Sequence, residues 1–155
     1  MRKLILFFIA TLFITSCNRA PTTINQNTIL GNWYTLEKKK INNHIEATIT
    51  YKEQFFKNNT LLSTKWFNFK DRAGNNLGEY YITKLFTYKR DKNYIEAKFI
   101  RCSVGITSPL KYNNLGYKEL YQKCQKMPKS YRVTKKAYRL LNNTLYLGNR
   151  VYYRE

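Results

Sequence analysis

The sequence predicts an all-β domain, an eight-stranded antiparallel up-and-down barrel, with a two-layer β-sandwich as the alternative. Three observations point there. Apolar and polar residues alternate with period two through most of residues 29–155. The alternating runs are separated by short clusters of Asn, Asp and Gly, the residues that tolerate tight turns. Aromatic residues make up 16% of the chain, with 14 tyrosines among them, and large rings favour strands.

The first strand is expected over Trp33 to Glu37. The second carries Ile45, Ala47, Ile49, Tyr51 and Phe55 on one face and Glu46, Thr48, Thr50, Lys52 and Gln54 on the other, so one side is dry and one wet. Asn58-Asn59 turns the chain into a third strand, Leu61 to Phe69, which Asp71-Arg72-Ala73-Gly74-Asn75-Asn76 ends. Tyr80 to Tyr88 forms the fourth, closed by Arg90-Asp91-Lys92-Asn93. Ile95, Ala97 and Phe99 alternate with Tyr94, Glu96 and Lys98 in the fifth. Residues 102–130 break the rhythm. Pro109, Gly116 and Pro128 punctuate this stretch, while Leu120, Tyr121, Cys124 and Met127 recur at helical spacing, so a long connection with a short helix is expected. Strands return at Tyr131 to Leu140, Thr144 to Leu147 and Arg150 to Tyr153, parted by Asn142-Asn143 and Gly148-Asn149.

The amino terminus reads as an address rather than as fold. Arg2 and Lys3 precede an apolar run from Leu4 to Phe13, too short to span a bilayer as a helix, which needs about 20 residues. Ile14-Thr15-Ser16-Cys17 follows. These residues resemble the lipobox of bacterial lipoproteins. The resemblance implies removal of residues 1–16, a diacylglycerol on the Cys17 sulfur and a further acyl chain, palmitate or similar, on its amine. Two or more chains hold a protein at a membrane where one does not. Asn18, in place of an inner-membrane retention Asp, points towards the outer membrane. Residues 17–28 then read as a lipidated polar tether and residues 29–155 as the folded domain. The implied location is the cell envelope, facing periplasm or surface.

Charge narrows the partners. The chain carries 28 Lys and Arg against 9 Asp and Glu, a formal +19, and loss of Arg2 and Lys3 with the signal leaves +17. Outside the cytoplasm such a surface meets anionic lipid, lipopolysaccharide phosphates or acidic proteins; nucleic acid is an unlikely partner for a lipid-tethered exported chain. With Cys17 lipidated, Cys102 and Cys124 are an even pair in an oxidising compartment and are expected to form a disulfide. No catalytic residues, cofactor or metal site are predicted. There is no Gly-x-Ser-x-Gly, no paired Cys and His, and a single histidine, His44.

Gly31-Asn32-Trp33 at the start of the first strand and Arg154 at the end of the last resemble the lipocalins and the bacterial lipocalin-like lipoproteins. In that family the Gly-x-Trp tryptophan plugs the closed end of the barrel and a late arginine packs across it. The resemblance assigns those roles to Trp33 and Arg154; an ordinary core tryptophan is the other reading of Trp33. By alternation alone, Trp66, Tyr80, Phe86, Tyr88 and Tyr146 are candidate ligand-lining residues, and core packing is the competing reading of each. Two functions remain. In the first, a solid barrel uses its basic outer surface to bind an anionic macromolecule or membrane. In the second, the barrel carries or scavenges a small apolar or amphiphilic, anionic ligand.

Overall fold

A computed structural model describes residues 28–112, 115–127 and 133–155. The expected signal segment 1–16, Cys17 and all of the tether but Thr28 lie outside these residues. Eight antiparallel strands close into one barrel in chain order, each bonded to its neighbours and the last to the first. They are β1 (Gly31–Lys40), β2 (Ile45–Phe55), β3 (Thr60–Asp71), β4 (Asn76–Arg90), β5 (Tyr94–Ser108), β6 (Thr134–Leu141), β7 (Thr144–Leu147) and β8 (Arg150–Arg154). A helix, α1 (Tyr117–Gln125), lies between β5 and β6. The up-and-down barrel of the sequence reading is therefore present and the sandwich is not.

The turns follow the residues that favoured them. Asn59 and Asn142 adopt left-handed backbone in the β2–β3 and β6–β7 turns, a conformation asparagine accepts more readily than most residues. The Asp71 side chain accepts from the backbone N–H and the side-chain amide of Asn75, both at 2.8 Å, closing the β3–β4 turn on itself.

Several strands run past or fall short of their expected ends, β1 (Gly31–Lys40) and β4 (Asn76–Arg90) among them, and the largest difference is at β5. The irregular connection was placed from residue 102, but β5 continues to Ser108 by pairing with β4 through Cys102/Lys84, Val104/Ile82 and Ile106/Tyr80. A register shift beside Phe86 and Phe99 carries the ladder past the point where simple alternation fails. Gly105 serves the strand. A Cβ there would stand 2.5 Å from the Tyr81 hydroxyl, so only glycine lets that ring lie across β5.

Strand lengths make the wall uneven. β2 to β5 are 11 to 15 residues long, whereas β6 to β8 are 8, 4 and 5. β6 meets β5 only from Tyr94 to Ala97, and β8 meets β1 only at Trp33 and Tyr34. The second half of β5 thus has no partner in β6. In the register Cys102 faces the same side as Lys84, that is, inward. A disulfide from Cys102 to the buried Cys124 of α1, with Cα atoms 5.6 Å apart, sets the helix against this unpaired stretch. The expected cysteine bond is present, and it replaces a missing strand as the anchor of that wall.

Candidate functional site

Inward-pointing residues fall into three levels along the barrel. At the first, Trp33 is fully buried and its indole Nε1 donates to the Ile29 carbonyl at 2.8 Å. The Arg154 guanidinium lies over the indole, 4.6 Å from the ring centroid, and donates to the Thr28 carbonyl. Phe55 and Tyr88 meet edge to face beside them, with centroids 5.2 Å apart. This end is closed. The structure brings Trp33 and Arg154, the first strand and the last, into contact here.

At the opposite end of the long strands a second aromatic cluster forms. Tyr80 packs against Phe67, Phe69 and Tyr117, at 4.7, 5.5 and 5.6 Å between centroids. Its hydroxyl donates to the Leu115 carbonyl at 2.9 Å, and burial pushes its pKa up to about 12. The segment ahead of α1 is brought there by the Lys111 N–H, which donates to the Leu77 carbonyl. Gly78 permits the crossing, since its φ of 124° and the Pro109 oxygen 2.6 Å from a would-be Cβ both exclude a side chain.

Between the two clusters the barrel is hollow. A cavity of about 300 Å³ opens past the short strands, at the lower end of the ~300–1,000 Å³ usual for small-molecule sites. Ile82, Phe86, Ile95 and Phe99 supply apolar wall, and Leu120 and Met127 from the helical connection close one side. Four cationic side chains also face in: Lys65 from β3, Lys84 from β4, Lys136 from β6 and Arg150 from β8. Lys136 and Arg150 are exposed and Lys65 and Lys84 half-buried, so positive charge runs from the mouth into the wall. Burial lowers the pKa of both inner lysines; Arg150 adds to this at Lys65, and Lys65 and Lys136 add to it at Lys84.

The acidic partners in this space are few. Glu53 is buried, and burial raises its pKa against the pull of Lys136 and Arg150. Its Oε1 accepts from the Ser63 hydroxyl at 2.9 Å and the Tyr152 hydroxyl at 3.4 Å. Glu37 accepts from the Tyr51 hydroxyl at 2.8 Å. Among the described residues the one ion pair is Lys52 with Glu155, between a half-buried lysine and an exposed carboxylate outside the cavity. None of the four cavity cations is ion-paired there. Also among the described residues, no three His, Cys, Asp or Glu side chains lie close enough to hold a metal ion.

Of the five candidate lining residues, Phe86 borders the cavity. Tyr80 and Tyr88 point inward but are spent in the two end clusters, and the Tyr88 hydroxyl reaches the Phe56 carbonyl at 3.4 Å. Trp66 and Tyr146 have the opposite parity. Trp66 is 38% exposed and stacks on Tyr81, with centroids 5.1 Å apart, and Tyr146 is 39% exposed. Lys65, Lys84, Lys136, Arg150 and Glu53 were not expected in the site at all. Comparison with family models and with curated proteins finds no match to either.

Proposed function

We propose that the protein is a non-enzymatic binding protein of the bacterial envelope, held at the membrane through Cys17, whose barrel takes up a small amphiphile with an anionic head. The observation that carries this reading is the convergence of Lys65, Lys84, Lys136 and Arg150 on one cavity of mixed apolar and polar wall, with no ion pair to any of them among the described residues. Like charges crowded together oppose folding, and an anion arriving among them removes that opposition. The apolar residues between and below them suit a short tail. A basic exterior, +17 over residues 17–155, steers anions and anionic surfaces towards the mouth. The alternative reading, a filled barrel acting only through its surface, loses support from the open interior.

Native mass spectrometry of protein purified from its producing cells tests this. A co-purifying small anion, lost in the quadruple variant Lys65→Met, Lys84→Met, Lys136→Met, Arg150→Met, is the expected result. A protein that is always ligand-free, and that binds no anionic amphiphile added at micromolar concentration, overturns it.

A further inference from the structure

This inference rests on the cavity-binding reading and specifies the head group. Glu53 stands apart from the rest of the wall. It is 5% exposed, its Oε1 has two donors, and its Oε2 is buried without any partner. The polar and charged groups around it come from Tyr51 on its own strand, Ser63 and Lys65 on β3, Lys84 on β4, Lys136 on β6, and Arg150 and Tyr152 on β8. β1 places Trp33 opposite it, β7 contributes Leu147 to the wall, and β5 contributes Ile95, Ala97 and Phe99. Yet none of the cations forms an ion pair with it. An ionised carboxylate enclosed in this way is costly. A neutral carboxyl fits the same contacts: the carbonyl oxygen accepts from Ser63 and Tyr152, and the other oxygen keeps an O–H with no acceptor.

We propose that Glu53, as a neutral carboxyl, donates a hydrogen bond to the head of the ligand, so that Lys65, Lys84, Lys136, Arg150 and Glu53 form a site of donors only. Such a site selects acceptor-only oxyanions, a carboxylate or a sulfate on a short apolar tail. It rejects alcohols and amines of the same length. Where Glu53 is ionised in the free protein, the anion brings a proton in with it, and affinity falls with rising pH by up to tenfold per unit.

Titration calorimetry of the full-length protein with decanoate and decyl sulfate, from pH 5.5 to 9, tests this, with decanol and decylamine as controls. Both anions are expected to bind and, above about pH 6.5 where both heads are ionised, to share the same decline with pH. Glu53→Gln, whose amide N–H can still donate, is expected to match the wild type at the acid end and to decline less than it towards the alkaline end, where only the lowered pKa values of Lys65 and Lys84 still act. Glu53→Ala, which has no donor, is expected to bind about tenfold more weakly at the acid end and to keep only the same shallower decline as Glu53→Gln. Identical pH profiles for wild type and either variant overturn the role of Glu53 while leaving the cavity reading intact. If neither anion binds the wild type at any pH, the cavity reading fails and this inference fails with it.

Discussion

The guanidinium of Arg150 lies over the ring of Tyr51, 4.0 Å from its centroid, and holds one end of β8 across the barrel to β2. Lys65 approaches the same ring at 5.1 Å, and the Tyr51 hydroxyl is fixed on Glu37. The ring therefore joins one cation of the mouth, Arg150, to one of the wall, Lys65, each contact contributing about 0.5–2 kcal/mol. Tyr51→Leu removes both contacts without changing any charge. The expected outcome is a roughly tenfold loss of decanoate affinity, about 1.4 kcal/mol, with the fold retained by circular dichroism. Arg150→Ala is expected to lose about as much and, in addition, to flatten the dependence of affinity on salt.

Lys65 and Lys84 carry a cost in stability. Burial lowers the pKa of each, so the folded chain releases these protons at lower pH than the unfolded chain, where lysine titrates near ~10.4. More protons on the unfolded state means that stability rises with pH across that interval. Lys65→Met is therefore expected to be more stable than the wild type at pH 6, by up to about 1 kcal/mol because the half-exposed charge is screened. The gap should close towards pH 10, as seen in thermal unfolding, while anion binding is lost at every pH.

Glu53 carries the opposite sign. Its pKa is raised on folding, so its contribution is fully present below the unfolded value of about 4.3 and is lost as pH climbs through the folded one. Glu53→Gln keeps the size of the side chain and removes the titration. Its melting temperature should match the wild type near pH 4.5 and exceed it at pH 8.5. A wild type that is the more stable of the two at pH 8.5 would mean that the ionised form is well paired.

The strand pattern was legible in the sequence because a two-sided wall imposes period two, and eight such runs have few other ways to hide their edges. The site was much less so. Lys65 shares its parity with Leu61, Phe67 and Phe69, and Glu53 shares its parity with Tyr51 and Phe55, so both lie on the dry face by simple counting. The usual assumption that charged residues face water hides them, and an interior that wants charge breaks that assumption. Trp66 and Tyr146 mislead in the reverse direction, since large rings read as buried yet stand outside. Lys136 and Arg150 lie on strands with apolar residues on both parities, Ala137 and Leu141 against Tyr138 and Leu140 in β6 and Val151 and Tyr153 against Tyr152 in β8, so periodicity assigns neither a face.

At the closed end, Trp33 and Arg154 join the first strand to the last, where β1 and β8 share only two paired positions. So short a ladder leaves closure to side chains. Trp33→Ala empties a fully buried site and is expected to cost about 3–5 kcal/mol. Arg154→Ala loses the stack and the Thr28 contact together, about 2 kcal/mol. Both appear as lower denaturant midpoints. Fluorescence provides an independent check on the burial: iodide should quench Trp66 in the wild type but find little left to quench in Trp66→Phe.

The Cys102–Cys124 bond ties stability to the cavity in a way that the other end does not. It joins α1 to the stretch of β5 that has no partner in β6, and Leu120 and Met127 reach the cavity from that side. Its loss frees a segment 22 positions long and is expected to cost ~3 kcal/mol by chain entropy. The β1–β5 ladders and the Trp33 end do not depend on it. Cys102→Ser with Cys124→Ser should therefore keep the far-ultraviolet signature of the barrel and lower the melting temperature. It should also weaken decanoate binding, because one apolar side of the cavity is no longer held in place. Unchanged affinity in the double variant would show that α1 stays seated through Leu115, Tyr117 and Tyr80 alone.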